Sequence, residues 1–262
     1  MNQNLKVLAI TSLPTVGNAG LKNIISILGN KVIPVPSLIA CGLGNMVGHK
    51  KLAYCFEEAL SNSLELAKKN DQRLIIYTGY LLNKHQIDLI LHNLDIYKDI
   101  IEIIIVDPVC GDNNKAYVDL SIINNFYKLI EIADIITPNE TEFQLLLNSF
   151  DLQLEKLIEK FNHKYPLKKL IITGVRNEES NFNILVSGKK IIMLPYQRLE
   201  ISYSGTGDLF IAFFIKFNFF DQLSTKSSIQ KAAKNISFLV RKNIELKTKP
   251  HNFLIGLQKT LH

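Results

Sequence analysis

The chain of 262 residues is 47% hydrophobic and 21% charged, with a formal net charge of +6. That balance suits one α/β domain over residues 1–262 with a sizeable core, and it excludes a disordered or fibrous chain. Lys and Arg are scattered rather than gathered into a stripe, so no nucleic-acid partner is expected, whereas a polyphosphate ligand fits the mild positive bias.

Taken in order, Lys6–Ile10, Lys31–Val35, Arg73–Tyr77, Ile101–Val106, Asp134–Ile136 and Lys168–Ile172 are compact Ile- and Val-rich runs. Such runs predict central parallel strands covered on both faces. Amphipathic stretches alternate with them: Gly20–Leu28, His49–Lys69, Lys84–Tyr97, Asp119–Ile132, Glu140–Leu147 and Leu152–Lys164. In His49–Lys69, Leu52, Phe56, Ala59, Leu60, Leu64 and Ala67 fall on one side of a helix. The alternation argues for βαβ units with right-handed crossovers. Asn183–Val186 and Lys189–Leu194 flank Ser187-Gly188, the pattern of a β-hairpin. Helices are then expected over Thr206–Phe219, Ser227–Lys242 and Pro250–Leu261.

Cys41, Cys55 and Cys110 lack CxxC spacing, so a reducing, cytoplasmic setting is expected. The first residues carry no signal-peptide pattern. The run Leu209–Phe220 is interrupted by Lys216 and falls short of the ~20 residues that span a bilayer, so it reads as a buried helix and no membrane association is expected.

Three segments carry candidate chemistry. Ser204-Gly205-Thr206-Gly207-Asp208 runs into an apolar helix whose first N–H groups form an anion site, and Asp208 placed there can take a proton from a hydroxyl. An ordinary glycine turn is the structural alternative. Thr137-Pro138-Asn139-Glu140-Thr141-Glu142 joins a strand to a helix. Asn139 and Glu142 have the spacing of a capping box, yet they also stand where α/β sheets bind ligands and could hold Mg²⁺ through water. Asp107-Pro108-Val109-Cys110-Gly111-Asp112 puts Asp107 at a strand end and Asp112 in a turn able to fold over a ligand, or else is a solvated Pro-Gly turn. Cys110 reads as a small apolar filler. The Gly42–Lys50 loop matches neither GxxxxGK[ST] nor GxGxxG, and HExxH and GxSxG are absent.

In this order, the motifs resemble those of pyridoxal kinases of the ribokinase superfamily. DPVCGDNNKAYV (107–118) is similar to their DPVMGDxGxxYV, and ADIITPNETEFQLL (133–146) to ADIITPNxxExxLL. SGTGDLFIAFFI (204–215) resembles their GTGDLFSALLLA segment. Tyr77-Thr78-Gly79-Tyr80-Leu81 looks like SGYL, and Val16-Gly17-Asn18-Ala19 looks like VGNxAA.

The resemblance implies a ribokinase-like three-layer α/β/α sandwich with a central, mostly parallel sheet, and ATP-dependent phosphorylation of the 5′-hydroxymethyl of pyridoxal, pyridoxine or pyridoxamine. It assigns Asp208 as catalytic base and Gly205, Thr206 and Gly207 as the anion hole. Asp107, Asn139 and Glu142 fall to Mg²⁺. Asp112, Tyr117, Thr137 and Thr173 fall to ATP, and Ser12 and Tyr80 to the pyridine. It also implies a homodimer, and K⁺ as an aid.

The departures lie on the substrate side. The chain is about three residues shorter than usual between Ser12 and Gly17, and Ser37–Gly44 replaces TVQFSNHT. Two rival readings are a hydroxymethylpyrimidine or hydroxymethylpyrimidine-phosphate kinase, and a non-catalytic vitamin-B6-binding homologue.

Overall fold

The computed structural model describes residues 4–44, 46–176, 180–197 and 203–247; the helix expected over Pro250–Leu261 lies outside them. The first half of the chain runs β1 (Leu5–Pro14), α1 (Leu21–Leu28), β2 (Val32–Cys41), β3 (Lys50–Lys51), α2 (Phe56–Lys69), β4 (Arg73–Thr78), α3 (Lys84–Ile96) and β5 (Ile101–Val106). A small hairpin, β6 (Gly111–Asp112) and β7 (Lys115–Ala116), precedes α4 (Leu120–Ile123), α5 (Phe126–Ile132), β8 (Ile135–Ile136) and α6 (Glu140–Leu147). There follow α7 (Leu154–Lys164), β9 (Lys169–Arg176), β10 (Asn181–Ser187), β11 (Lys190–Tyr196), α8 (Thr206–Ile215) and α9 (Thr225–Glu245).

Nine strands form one sheet in the order β11-β10-β9-β8-β5-β4-β1-β2-β3. The six strands from β9 to β2 are parallel, and β10, β11 and β3 join antiparallel at the two edges. The Ile- and Val-rich runs are central because both faces are covered: Val7–Ile10 and Leu74–Tyr77 are fully buried. Alternation along β1 sends Leu8 and Ile10 to one core and Val7 and Ala9 to the other. The first core packs under α2, α3 and α5–α7, the second under α1, α8 and α9. This is the expected three-layer α/β/α sandwich around a mostly parallel sheet.

The helix expected from His49 begins seven residues later. Lys50 and Lys51 instead pair with Cys41 and Ala40, and the Leu52 N–H donates to the Ile39 carbonyl. The edge of β2 needs partners for its backbone groups, and short Lys-bearing strands commonly close such edges. Leu52 is therefore 42% exposed, while Phe56, Leu60, Leu64 and Ala67 fill the inner face of α2. Burying each of the three large ones is worth roughly 1.5–3 kcal/mol.

The stretch Asp119–Ile132 is likewise two helices, broken at Asn124-Asn125. Asp119 caps the first through the Ser121 N–H, and the Asn125 side chain returns to the Ser121 carbonyl, a local bond that competes with helix continuation. Leu209–Phe217 is buried apart from Lys216, as expected of the apolar run, but regular α-helix stops at Ile215 and a single π turn closes over Lys216–Phe220.

Candidate active site

The parallel strands all deliver their carboxyl ends to one edge, and backbone hydrogen bonds step across it. Gly79 N–H bonds to Ile10 C=O, Asp107 N–H to Thr78 C=O, and Thr137 N–H to Val106 C=O, at 2.8–2.9 Å. This register sets the residues that follow β4, β5 and β8 side by side. Next along the edge, Asn139 bridges to Thr173 of β9. The result is a cleft of about 720 Å³ at the carboxyl edge, where open α/β sheets place their ligands.

Of the residues singled out in the sequence, all but Ser12 and Tyr80 line this cleft. Asp107, Asn139 and Glu142 form its floor, with Thr137 and Thr173 beside them; Asp112 and Tyr117 stand on the β6–β7 hairpin side. The Gly205–Asp208 segment lines the cleft too.

Gly205 caps α8 in the left-handed region, at φ 81° and ψ 9°, and no side chain caps the helix. A Cβ there would stand 2.4 Å from Asn23 Nδ2 and 2.6 Å from the Asn18 carbonyl, so glycine is required on both counts. Asn23, itself buried, donates to the Gly205 carbonyl at 2.8 Å and fixes the turn from α1. The first N–H groups of α8 have no intrahelical partner and present a positive dipole end to the cleft.

Asp208 sits in that first turn. Its Oδ2 accepts from the Gly20 N–H at 2.7 Å. Burial pushes its carboxyl up to about 6, against the opposing pull of that bond. Asp107 is pushed up to about 8, first by burial and then by the Asp208 charge. Burial and the Asp107 charge also hold Glu142 well above the usual carboxylate range. The Cys110 thiol is pushed up by burial and by Glu142, so Cys110 is the inert filler expected.

The capping box is formed: Asn139 Oδ1 accepts from the Glu142 N–H at 2.9 Å and Glu142 Oε2 from the Asn139 N–H at 2.8 Å. Glu142 Oε1 also accepts from the Cys110 N–H at 3.3 Å, and Asn139 Nδ2 donates to the Gly111 carbonyl at 2.9 Å. The structural reading of this motif is thus realised, and both side chains also line the cleft.

A hard divalent cation fits the donor set. The cluster offers only oxygen atoms, its carboxylates stand next to one another in a buried place, and Arg176 is the only basic side chain lining the cleft among the described residues. The buried Thr78 Oγ1, on the residue whose carbonyl accepts the Asp107 N–H, makes no hydrogen bond. No group of three or more His, Cys, Asp or Glu side chains forms a closed metal cage among the described residues. Mg²⁺ takes few carboxylates and keeps waters or phosphate oxygens.

Ser12 and Tyr80 lie off the cleft lining. A Cβ on Gly20 would strike the Ser12 carbonyl at 2.0 Å and its Oγ at 2.8 Å, so Ser12 stands directly behind the amide that holds Asp208. Tyr80 is fixed by its backbone: its N–H donates to Thr11 Oγ1 at 3.1 Å, and its carbonyl accepts from Ser37 Oγ.

The far end of the cleft was missed in the sequence. Phe210, Ile211, Ala233, Ile236 and Val240 of α8 and α9 make an apolar wall, facing Asn183 and Tyr196 of the β10–β11 hairpin. Asn183 Oδ1 accepts from the Gly174 N–H at 3.3 Å. A buried polar residue inside the apolar stretch Phe182–Val186 was the one signal available.

The cleft at the strand ends of this α/β protein thus brings together Asp208, in the first turn of a helix, and the buried Asp107 and Glu142. The chain belongs to the phosphomethylpyrimidine kinase family, whose family model matches residues 17–253. The resemblance to pyridoxal kinases is borne out among its relatives. A candidate pyridoxal kinase of Schizosaccharomyces pombe is 30% identical over 147 residues, 52% of this chain and 43% of its own length. The matches span between 38% and 58% of the length of the curated relatives.

A candidate phosphomethylpyrimidine kinase of Bacteroides thetaiotaomicron superposes with a TM-score of 0.85 at 26% identity, covering 100% of this chain and 94% of its own. A second crystal form of that protein contains pyridoxal. Pyridoxal kinase of Entamoeba histolytica shares the fold, with a TM-score of 0.86 at 19% identity over 99% of this chain and 95% of its own. Among the described residues no helix is long and apolar enough to cross a membrane.

Proposed function

We propose that this chain transfers the γ-phosphoryl group of ATP to the 5′-hydroxymethyl of a vitamin B6 compound: pyridoxal, pyridoxine or pyridoxamine. The observation that carries the reading is the place of Asp208, a half-buried carboxylate at the uncapped start of α8, with one oxygen held by Gly20. The pyridoxal-containing form of the Bacteroides relative and the pyridoxal kinase names among the relatives support the substrate class.

Phosphoryl transfer asks mainly for positioning and neutralisation of charge. Asp208 is poised to be ionised at neutral pH and to accept the hydroxymethyl proton as that oxygen attacks phosphorus. With Oδ2 held by Gly20, Oδ1 serves the substrate. The N–H groups of the turn through Gly205, Thr206 and Gly207 receive the transferring phosphoryl oxygens. Asp107 and the water-mediated pair Asn139 and Glu142 would hold Mg²⁺, which when bound neutralises phosphate charge.

Thr137 and Thr173 fit phosphate contacts, Asp112 and Tyr117 a cover over ATP, and the apolar wall of α8 and α9 the adenine. Ser12 and Tyr80, behind Gly20 and Thr11, fit the pyridine side. The same reading makes residues 1–262 one domain that works as a cytoplasmic homodimer aided by K⁺. The nine-stranded sheet running through the described residues supports the single domain, and three free cysteines fit a reducing compartment.

The description of the matching family favours a second reading, a hydroxymethylpyrimidine or hydroxymethylpyrimidine-phosphate kinase. Side-by-side turnover of pyridoxal, pyridoxine, pyridoxamine and hydroxymethylpyrimidine with Mg-ATP separates the two. Phosphorylation of a B6 compound is expected. Turnover of the pyrimidine alone would replace the substrate, and turnover of none would remove the kinase reading.

A further inference from the structure

Tyr77 is the largest polar side chain buried in β4. It is fully inaccessible, with its ring in the core beneath α1 and α8. A tyrosine in such a place needs a partner for its hydroxyl. Its partner is a carboxylate of the cleft: Tyr77 Oη donates to Asp107 Oδ2 at 3.1 Å, between residues 30 apart in the chain.

The space for that hydroxyl is kept open by Gly79. A Cβ there would come within 2.7 Å of Tyr77 Oη and 2.8 Å of Thr11 Oγ1. A donor fixed to one oxygen of a carboxylate sets the rotation of the whole group. Asp107 itself lines the cleft, with the Thr137 side chain as another group acting on its carboxylate.

We propose that Tyr77 is a positioning residue for the divalent-cation side of the reaction, fixing the Asp107 carboxylate through its hydroxyl and an opening preserved by Gly79. The proposal rests on the kinase reading above for the purpose of the cation. The contact itself has a readout that does not depend on turnover.

The test is Mn²⁺ binding in the presence of AMP-PNP, followed by the electron paramagnetic resonance signal of free Mn²⁺. Wild type, Tyr77→Phe, Asp107→Asn and the double variant are compared, with thermal unfolding of each. A hydrogen bond to a charged group of this type corresponds to roughly a tenfold change. Tyr77→Phe is expected to raise the Mn²⁺ Kd about tenfold in the wild-type background and less than about twofold in the Asp107→Asn background.

If Tyr77 served packing alone, Tyr77→Phe would leave the Mn²⁺ Kd unchanged, or change it equally in both backgrounds. Either result overturns the proposal. Should Tyr77→Phe fail to fold, Gly79→Ala displaces the same hydroxyl, and it is expected to weaken Mn²⁺ binding with the same dependence on Asp107; no such dependence overturns the proposal. A wild type that binds Mn²⁺ with AMP-PNP yet phosphorylates no tested alcohol would remove the kinase reading and leave this one standing.

Discussion

The backbone amide of Gly20 holds Oδ2 of Asp208 at 2.7 Å, across 188 positions of the chain. This bond joins the loop after β1 to the first turn of α8, which lines the cleft. It also opposes the effect of burial, so the Asp208 carboxyl is raised only to about 6.

Because Asp208 must be ionised to accept a proton, kcat/KM is predicted to fall as pH drops through about 6. The loss should approach tenfold per pH unit below that point. A pH profile of kcat/KM for pyridoxal checks this, and a flat profile between about pH 5 and 7 would separate activity from Asp208.

Asp107 makes the opposite kind of prediction, about stability. Its folded carboxyl is raised to about 8 from an ordinary value of 3.8. Folding therefore favours the neutral form: that contribution is complete below about pH 4 and is lost as pH rises through about 8. Asp107→Asn removes the loss. In the absence of divalent cation it should stabilise the protein at about pH 8.5 by on the order of 1–2 kcal/mol, or about 2–4 °C in Tm per kcal/mol, with little change near pH 4. Thermal unfolding at the two pH values decides. A variant less stable than wild type at the higher pH would mean that the carboxylate is better compensated than its surroundings suggest.

Gly205→Ala should damage both folding and activity. The new Cβ would meet Asn23 Nδ2 and the Asn18 carbonyl well inside van der Waals contact, at a positive φ. Strain of this type costs on the order of 1–3 kcal/mol before the clash is counted. Denaturant unfolding would show the loss, and kcat should fall more than KM rises because the anion-binding turn is displaced. Wild-type stability in this variant would show that the turn relaxes at little cost.

Much of this was legible in the sequence, for definite reasons. Continuous Ile and Val runs such as Leu74–Tyr77 can only be strands covered on both faces, and Asp107 and Thr137 follow directly from where two of them stop. Gly205 is marked by its neighbours, since Gly-Thr-Gly-Asp before an apolar run leaves few other conformations. Three features were hidden. Lys50 and Lys51 satisfy the edge of β2, a tertiary demand that outweighs the helical periodicity from His49 onward. The partner of Tyr77 is 30 residues away, and in sequence it reads as one more aromatic strand residue. The apolar far wall comes from α8, α9 and a hairpin that meet only when the sheet is assembled.

The most direct test of the central claim is Asp208→Ala, assayed for phosphorylation of pyridoxal with Mg-ATP alongside binding of each ligand. Turnover is predicted to fall by about 10²–10⁴-fold, while the Kd values for nucleotide and pyridoxal stay within a few-fold of wild type. Activity within about tenfold of wild type would contradict the assignment of Asp208 as the base.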